Sequence, residues 1–327
     1  MSSTKLLAAV AAVSLMPHAA FGVSLTYVES FVASADVQVL DDATGNLFNL
    51  NVDPDGIAFN PTTGTVFFTD NNQLVEAQTD GTVLNVFELE GVLFNTASGA
   101  TEDAEGLTLL PNGNLLVGID FNDFSGPTPD QSGDRLVEYT VTGQIVPGGI
   151  NVTLDAAGAP VDADGSREVS SVVLGPSSAF VGSDTSQQIF EIDLGTPSLL
   201  NVLEYETIVG GDDEPEGLAI DPFTGNLLVA DDDTGNGVIY EITPDGTFVE
   251  AFSLDPLAAL LGIDFSPSSL AIDPATNRLF LGNIDENRID VFQINDPTAI
   301  IPIGPTAPLL LSAIAAPFLL RRRRRTA

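Results

Sequence analysis

The stretch EPEGLAIDPFTGNLLVAD, Glu214 to Asp231, reads as two short apolar strands joined by a Pro- and Gly-containing turn and bracketed by carboxylates. Four other stretches fall into register with it. They are DPDGIAFNPTTGTVFFTD from Asp53, DAEGLTLLPNGNLLVGID from Asp103, SSVVLGPSSAFVGSD from Ser170 and SPSSLAIDPATNRLFLGN from Ser266. After four of the five, a third strand of alternating pattern follows (RLVEYTV, QIFEIDL, VIYEITP, RIDVFQI), and usually a fourth such as TFVEAFSL. The units recur at intervals of 47 to 64 residues, the spacing of four-stranded propeller blades.

Within each unit the first two strands are apolar almost throughout, as strands covered on both faces are. The third and fourth alternate, as the half-exposed outer strands of a blade do. The last unit stops after RIDVFQI, and TYVESFVA at residues 26–33 has the pattern of a fourth strand with nothing before it. The N-terminal strand is therefore expected to complete the last blade and close the ring, removing two open sheet edges. The expected fold is all-β, a β-propeller of five countable blades over residues 23–297. The segment VLDDATGNLFNL at 39–50 leaves room for a sixth, irregular blade.

The two ends differ in composition from this body. Residues 1–22, MSSTKLLAAVAAVSLMPHAAFG, have a Lys near the start, an apolar run and small residues before Gly22, the parts of a secretory signal peptide. Residues 298–327 carry a Pro-punctuated motif, a short apolar stretch and five arginines, Arg321 to Arg325. The Arg cluster would stay cytoplasmic, leaving the body outside and the tail holding it at a membrane. This tail resembles the PEP-CTERM class of bacterial sorting signals, with IPIGP in place of that class's Val-Pro-Glu-Pro. The resemblance implies export, membrane retention, and release or attachment at the cell surface or in an extracellular matrix.

Lys5 and the tail arginines are six of the ten basic residues, which leaves the body four arginines against 46 acids, a formal charge of −42. Such a field repels nucleic acid and anionic lipid, and it calls for salt or bound cations to hold a compact chain together. Halophily and specific Ca²⁺ binding both account for it. A monomer with no nucleic-acid partner is expected. The body has no Lys, His, Cys, Met or Trp, so Ser-His-Asp triads, Cys nucleophiles, His bases, ordinary zinc sites and disulfides are all excluded.

Antiparallel strands return to the face they started from, so the residues before strand one and after strand two share one mouth of the central channel. The first position holds Asp55, Glu105, Glu216 and Ser268, with Glu168 displaced in the third blade. The second holds Asp70, Asp120, Asp184, Asp231 and Asn283. Crowded carboxylates bind cations, take up protons or repel, and a ligand set made only of oxygen suits Ca²⁺ or Mg²⁺, Ca²⁺ being the more tolerant of irregular geometry. Asp also bonds its own turn backbone. Fivefold recurrence favours that role after strand two, while the innermost-strand position favours a metal for Asp55, Glu105 and Glu216. DDDTGNG at 231–237 and DADG at 162–165 lack the full spacing of a calcium loop and read as solvated loops. Arg135, Arg167 and Arg288 fall near the same mouth, where they either offset acid charge or clamp an anionic group.

The repeats resemble the six-bladed gluconolactonase and regucalcin propellers and their NHL-repeat relatives, which carry similar EGLA and LLVAD segments. In the gluconolactonase-like family a Glu preceding Gly at this kind of position is a metal ligand, and Glu105 and Glu216 match it. Two functions from different classes are expected. One is a surface-held, cation-stabilised binding module. The other is a Ca²⁺-dependent lactonase or phosphoesterase with Asp120 or Asp231 as general base on a metal-activated water.

Overall fold

The computed structural model describes residues 24–31, 38–40, 47–49, 54–92, 100–123, 133–159, 168–211, 213–232, 237–284 and 286–295. The chain begins with β1 (Ser24–Phe31) and a small hairpin, β2 (Gln38–Leu40) and β3 (Leu47–Asn49). The first blade is β4 (Gly56–Asn60), β5 (Thr65–Asp70), β6 (Gln73–Gln78) and β7 (Val83–Glu88). The second is β8 (Ala100–Leu109), β9 (Leu115–Asp123), β10 (Arg135–Tyr139) and β11 (Asn151–Thr153). The third is β12 (Ser171–Leu174), β13 (Ala179–Ser183), β14 (Gln188–Asp193) and β15 (Ser198–Glu204), and the fourth β16 (Gly217–Ile220), β17 (Leu227–Asp231), β18 (Val238–Ile242) and β19 (Phe248–Ser253). The fifth is β20 (Pro267–Asp273), β21 (Arg278–Asn283) and β22 (Arg288–Asn295), with β1 as its outer strand.

The ring is therefore a five-bladed propeller closed as the sequence led us to expect, with β1 antiparallel to β22 and Ser24 opposite Asn295. The segment that left room for a sixth blade forms only the two-stranded β2–β3 sheet. This is one blade fewer than the six of the gluconolactonase-like propellers. Short helices α1 (Leu154–Ala157), α2 (Tyr205–Val209) and α3 (Asp255–Leu261) follow the outer strands of the second, third and fourth blades. Among the described residues no helix is long and apolar enough to cross a membrane. The expected signal peptide and sorting tail lie outside the described residues.

The core lies between blades, in five apolar clusters, and the second strands feed it from both faces. In β5, Val66 and Phe68 pack toward the fifth blade while Phe67 packs toward the second. In β17, Leu227 and Val229 face the third blade while Leu228 and Ala230 face the fifth. In β21, Leu279 and Leu281 face the fourth blade and Phe280 the first. With side chains alternating across a strand, apolarity at every position is what a strand between two neighbouring blades requires.

At the channel the first strands of neighbouring blades come so close that side chains are excluded. A Cβ on Gly56 would collide with the Glu105 carbonyl oxygen, and one on Gly217 would stand 2.8 Å from the Ser269 Cα. Two seams are also pinned by serine pairs. Ser170 and Ser171 donate their hydroxyls to the Pro215 carbonyl at 2.9 and 3.2 Å, and Ser268 and Ser269 donate to Pro54 at 3.0 and 2.6 Å.

A second repeated device, not anticipated from the alternating pattern of the third strands, stiffens the opposite rim. A Glu in four of the third strands accepts hydrogen bonds from the turn joining strands one and two of its own blade, or from the start of strand two. Asn112 and Asn114 donate to Glu138 at 2.8 and 2.6 Å, Ser178 to Glu191 at 2.7 Å, Asn226 to Glu241 at 2.6 Å and Thr65 to Glu76 at 3.0 Å. Part of the acidity is thus structural. Burial pushes the Glu138 carboxyl up, but the bonds from Asn114, the Ile150 N–H and Asn112 outweigh it and hold it below the ordinary value.

Gly217→Ala is expected to cost about 1–3 kcal/mol, because the added methyl meets backbone rather than a movable side chain. Urea unfolding should show a lower midpoint at unchanged slope.

Candidate functional site

The mouth expected from the hairpin geometry exists, but its ring of carboxylates is not uniform. Register separates the residues after strand two into two sets. Asp231 lies opposite Val238, Asp70 opposite Gln73 and Asn283 opposite Arg288. In the third blade the residue in that place is Ser183, opposite Gln188, and in the second it is Ile119, opposite Arg135. Asp120 and Asp184 therefore come one residue later than the sequence alignment put them. The added residue is visible as NLLVGID and SAFVGSD against NLLVAD.

The strand-end set turns inward. Asp231 is fully buried and accepts a hydrogen bond from the Tyr205 hydroxyl at 3.1 Å. Asp70, also buried, accepts one from the Asn71 amide at 2.7 Å. Asn283 spends both ends of its amide internally: its oxygen accepts from the Ser266 N–H at 3.2 Å, and its nitrogen donates to the Asp264 carbonyl at 3.1 Å and to Asp290 at 3.2 Å.

Asp184, one residue further on, is only partly buried, and here the third and fourth blades meet. It stands with Glu214 and Glu216 such that one carboxylate oxygen from each lies within 4.8 Å of the others. Local structure explains the convergence. Pro215 holds the residue before it out of the helical region, and the Glu216 N–H bonds back to the Glu214 carbonyl at 3.0 Å and to Ala230 at 3.1 Å. That tight three-residue turn sets the two glutamates close together. The Pro215 carbonyl is at the same time anchored by Ser170 and Ser171 across the seam. Glu168, the displaced acid of the third blade, arrives from the other side and shares a hydrogen bond with Asp184, while Thr185 donates its hydroxyl to Glu168.

Glu105 belongs to the same field. β8 carries a bulge in which Glu105 and Gly106 together stand where one residue would, because Ala104 pairs with Ile119 and Leu107 with Val117. The carboxyl of Glu105 is pushed well above its ordinary value, first by burial and then by the charges of Asp103, Asp55, Asp120 and Asp184. Burial, with Asp184, Asp232, Glu214 and Asp231, does the same to Glu216. Glu168 is raised to about 10 by burial and by Asp184. Asp120, fully buried, is raised to about 8 by burial and by Asp134, Asp103 and Asp184. It shares a hydrogen bond with Asp134, which requires one of the two carboxyls to carry the proton. The cation-free mouth thus relieves its own repulsion by holding protons at neutral pH.

The described arginines are engaged within the body. Arg135 pairs with Glu102 at 2.8 Å and donates to the carbonyls of Gly133 and Gly91 at 3.2 and 3.3 Å. Arg288, 9% exposed, pairs with Asp290 at 3.0 Å, its guanidinium carbon 5.5 Å from the centre of the Phe265 ring. Arg167 and the DADG segment lie outside the described residues, as does most of the loop after Asp231. Of the expected metal residues, Asp184 and Glu216 come together, Glu105 lies in the field of both Asp184 and Asp55, and Asp70 and Asn283 are buried. Glu214 was missed, although a Glu-Pro-Glu triplet with its Pro-restricted backbone carries a signal for two converging carboxylates.

No family model matches the chain, and no curated protein matches it. Among solved structures it is similar to a protein of unknown function from Bacteroides caccae, with 14% identity over 79% of this chain and 82% of that one and a TM-score of 0.46. It is also similar to Myxococcus xanthus glutaminyl cyclase, with 13% identity over 83% of this chain and 97% of that one and a TM-score of 0.49. Neither likeness bears on what this chain does, which is argued from the site.

The raised carboxyls give a definite pH dependence. Between the ordinary Asp value of 3.8 and about 8, folded Asp120 holds a proton that the unfolded chain has released. Stability in chelator should therefore fall as pH rises through that window, by about 1.4 kcal/mol per pH unit for one such group. Asp120→Asn is expected to flatten this slope and raise stability at pH 8, read by urea unfolding at pH 5, 6.5 and 8.

Proposed function

We propose that this chain is an exported, acidic five-bladed propeller that binds Ca²⁺ at its acidic mouth and acts at the cell surface or in an extracellular matrix as a cation-stabilised binding module. One observation carries the reading: carboxylate oxygens of Asp184, Glu214 and Glu216, from two different blades, lie within 4.8 Å of one another on backbone tied across the seam. Asp184 and Glu216 would ligate from opposite sides of the seam, with Glu214 completing a protein set of three. All the donors are hard oxygens, which suit Ca²⁺ and tolerate its irregular geometry. A divalent cation would replace the protons that otherwise neutralise the mouth, and would lock the third blade to the fourth.

Both ends of the body support a surface role. Ser24 and Asn295 leave together on the face opposite the acidic mouth, so attachment through the C-terminal segment keeps the anionic mouth away from the surface that holds it. The hydrolase reading is the weaker: Asp120, its expected base, is fully buried and, raised to about 8, keeps its proton at neutral pH. It requires chelator-sensitive hydrolysis of a lactone or phosphate ester.

Calorimetric titration of the purified protein with Ca²⁺ at pH 7 is expected to give saturable binding that weakens about 10-fold or more in Glu214→Gln/Glu216→Gln. Neutralising the exposed Asp193 and Asp245 should leave it unchanged. Equal affinity in the parent and the double glutamine variant would remove the site from the mouth.

A further inference from the structure

The end of the channel away from the acids is a funnel that none of the foregoing uses. Its cavity of about 250 Å³ is lined by apolar residues from the first strand of every blade, among them Ile57, Leu107, Val173, Leu218 and Ile272, with Phe59 at its side. Where Gly56, Gly106, Ser171, Gly217 and Ser269 converge, the channel narrows to about 10 Å³, room for about one water. A throat about one water wide, with Asp55 on its lining, thus separates the funnel from the acidic mouth.

The chain leaves the described fold beside this funnel. Asp273 pairs with Arg278, and Arg278 with Gln293, two residues before the end of β22 at Asn295. Ile272 and Pro274, at the start of that row, line the funnel. Asn295 is on the third strand, two strand spacings from the first, so the channel axis is roughly 15 Å away. About five extended residues cover that distance.

The sequence beyond Asn295 runs DPTAIIPIGP, and Ala299–Ile303 is its first apolar segment, four to eight residues on. A residue before proline, as Ile301 is in the sequence, is disfavoured in the helical region, which suits a segment that has to reach. A second copy of the body is a poor occupant, since each copy carries a formal charge of −42. The residues before Ser24 start one strand further from the axis than Asn295 does.

We propose that Ala299–Ile303 of this chain seats in the funnel, with Ile300 and Ile301 covering its apolar wall, so that the C-terminal segment is held against the face opposite the acidic mouth. Because the chain has no cysteine, the test is clean. In full-length protein, Ile301→Cys with Ala219→Cys in the funnel should oxidise to an intramolecular disulfide, seen on non-reducing gels and by mass. Ile301→Cys with Thr185→Cys at the acidic mouth should not.

A funnel pair that fails to cross-link, links only between molecules, or links no faster than the mouth pair overturns the proposal. As a second reading, Ile300→Asp/Ile301→Asp should raise binding of uncharged Nile red several-fold over the parent chain. Unchanged dye binding would mean that the funnel is open in the parent, again against the proposal. Neither readout depends on Ca²⁺, so its failure is distinguishable from failure of the metal site.

Discussion

Everything in this propeller depends on how closely the first strands of neighbouring blades approach at the channel. Five blades leave a narrow axis, and the strands that meet there have room for glycine at Gly56 and Gly217, or for small hydroxyl side chains at Ser171 and Ser269. The Ser170–Ser171 and Ser268–Ser269 pairs turn that proximity into hydrogen bonds on the Pro215 and Pro54 carbonyls, which would otherwise be buried acceptors without partners. The same carbonyls belong to Glu-Pro-Glu and Asp-Pro-Asp triplets, so the contact that closes a seam also orients the carboxylates on its rim. Fold and site share one constraint.

This coupling explains how so much negative charge is tolerated. Part is spent inside each blade, where Glu138, Glu191 and Glu241 accept hydrogen bonds from turns. Part is turned into the wall, as with Asp231 under Tyr205 and Asp290 under Arg288. A third part, Glu105, Glu168, Asp184, Glu214 and Glu216, meets at one mouth where burial and mutual repulsion favour protons or a cation. Repulsion among like charges, which on an open surface would be screened by salt, is concentrated there because the walls exclude water.

The channel is asymmetric for the same reason. The throat at Gly217 and Ser269 divides a polar mouth built by residues outside the strand ends from an apolar funnel built by the strands themselves. The apolar run of each first strand looked like burial between layers, and for residues facing neighbouring blades it is. Some of the same residues, such as Ile57 and Leu218, also wall the cavity beyond the throat. Strand periodicity cannot separate the two roles, because both are apolar.

What the sequence determined by itself was the architecture. Five in-register hairpins, apolar second strands and an orphan fourth strand at the N-terminus were enough to predict a propeller of five countable blades, with a sixth left open, and its closure by β1, because strand alternation and repeat length are local properties. The site was legible only in part. That the carboxylates share a mouth follows from hairpin return, but which of them face it does not. One added residue in NLLVGID and SAFVGSD, against NLLVAD, moves Asp120 and Asp184 out of the place held by Asp231. Only the tertiary structure decided that Asp184, Glu214 and Glu216 converge while Asp70, Asp231 and Asn283 turn into the wall. A one-residue shift reverses the side on which a strand residue points, and the partners that settle it lie on a different blade.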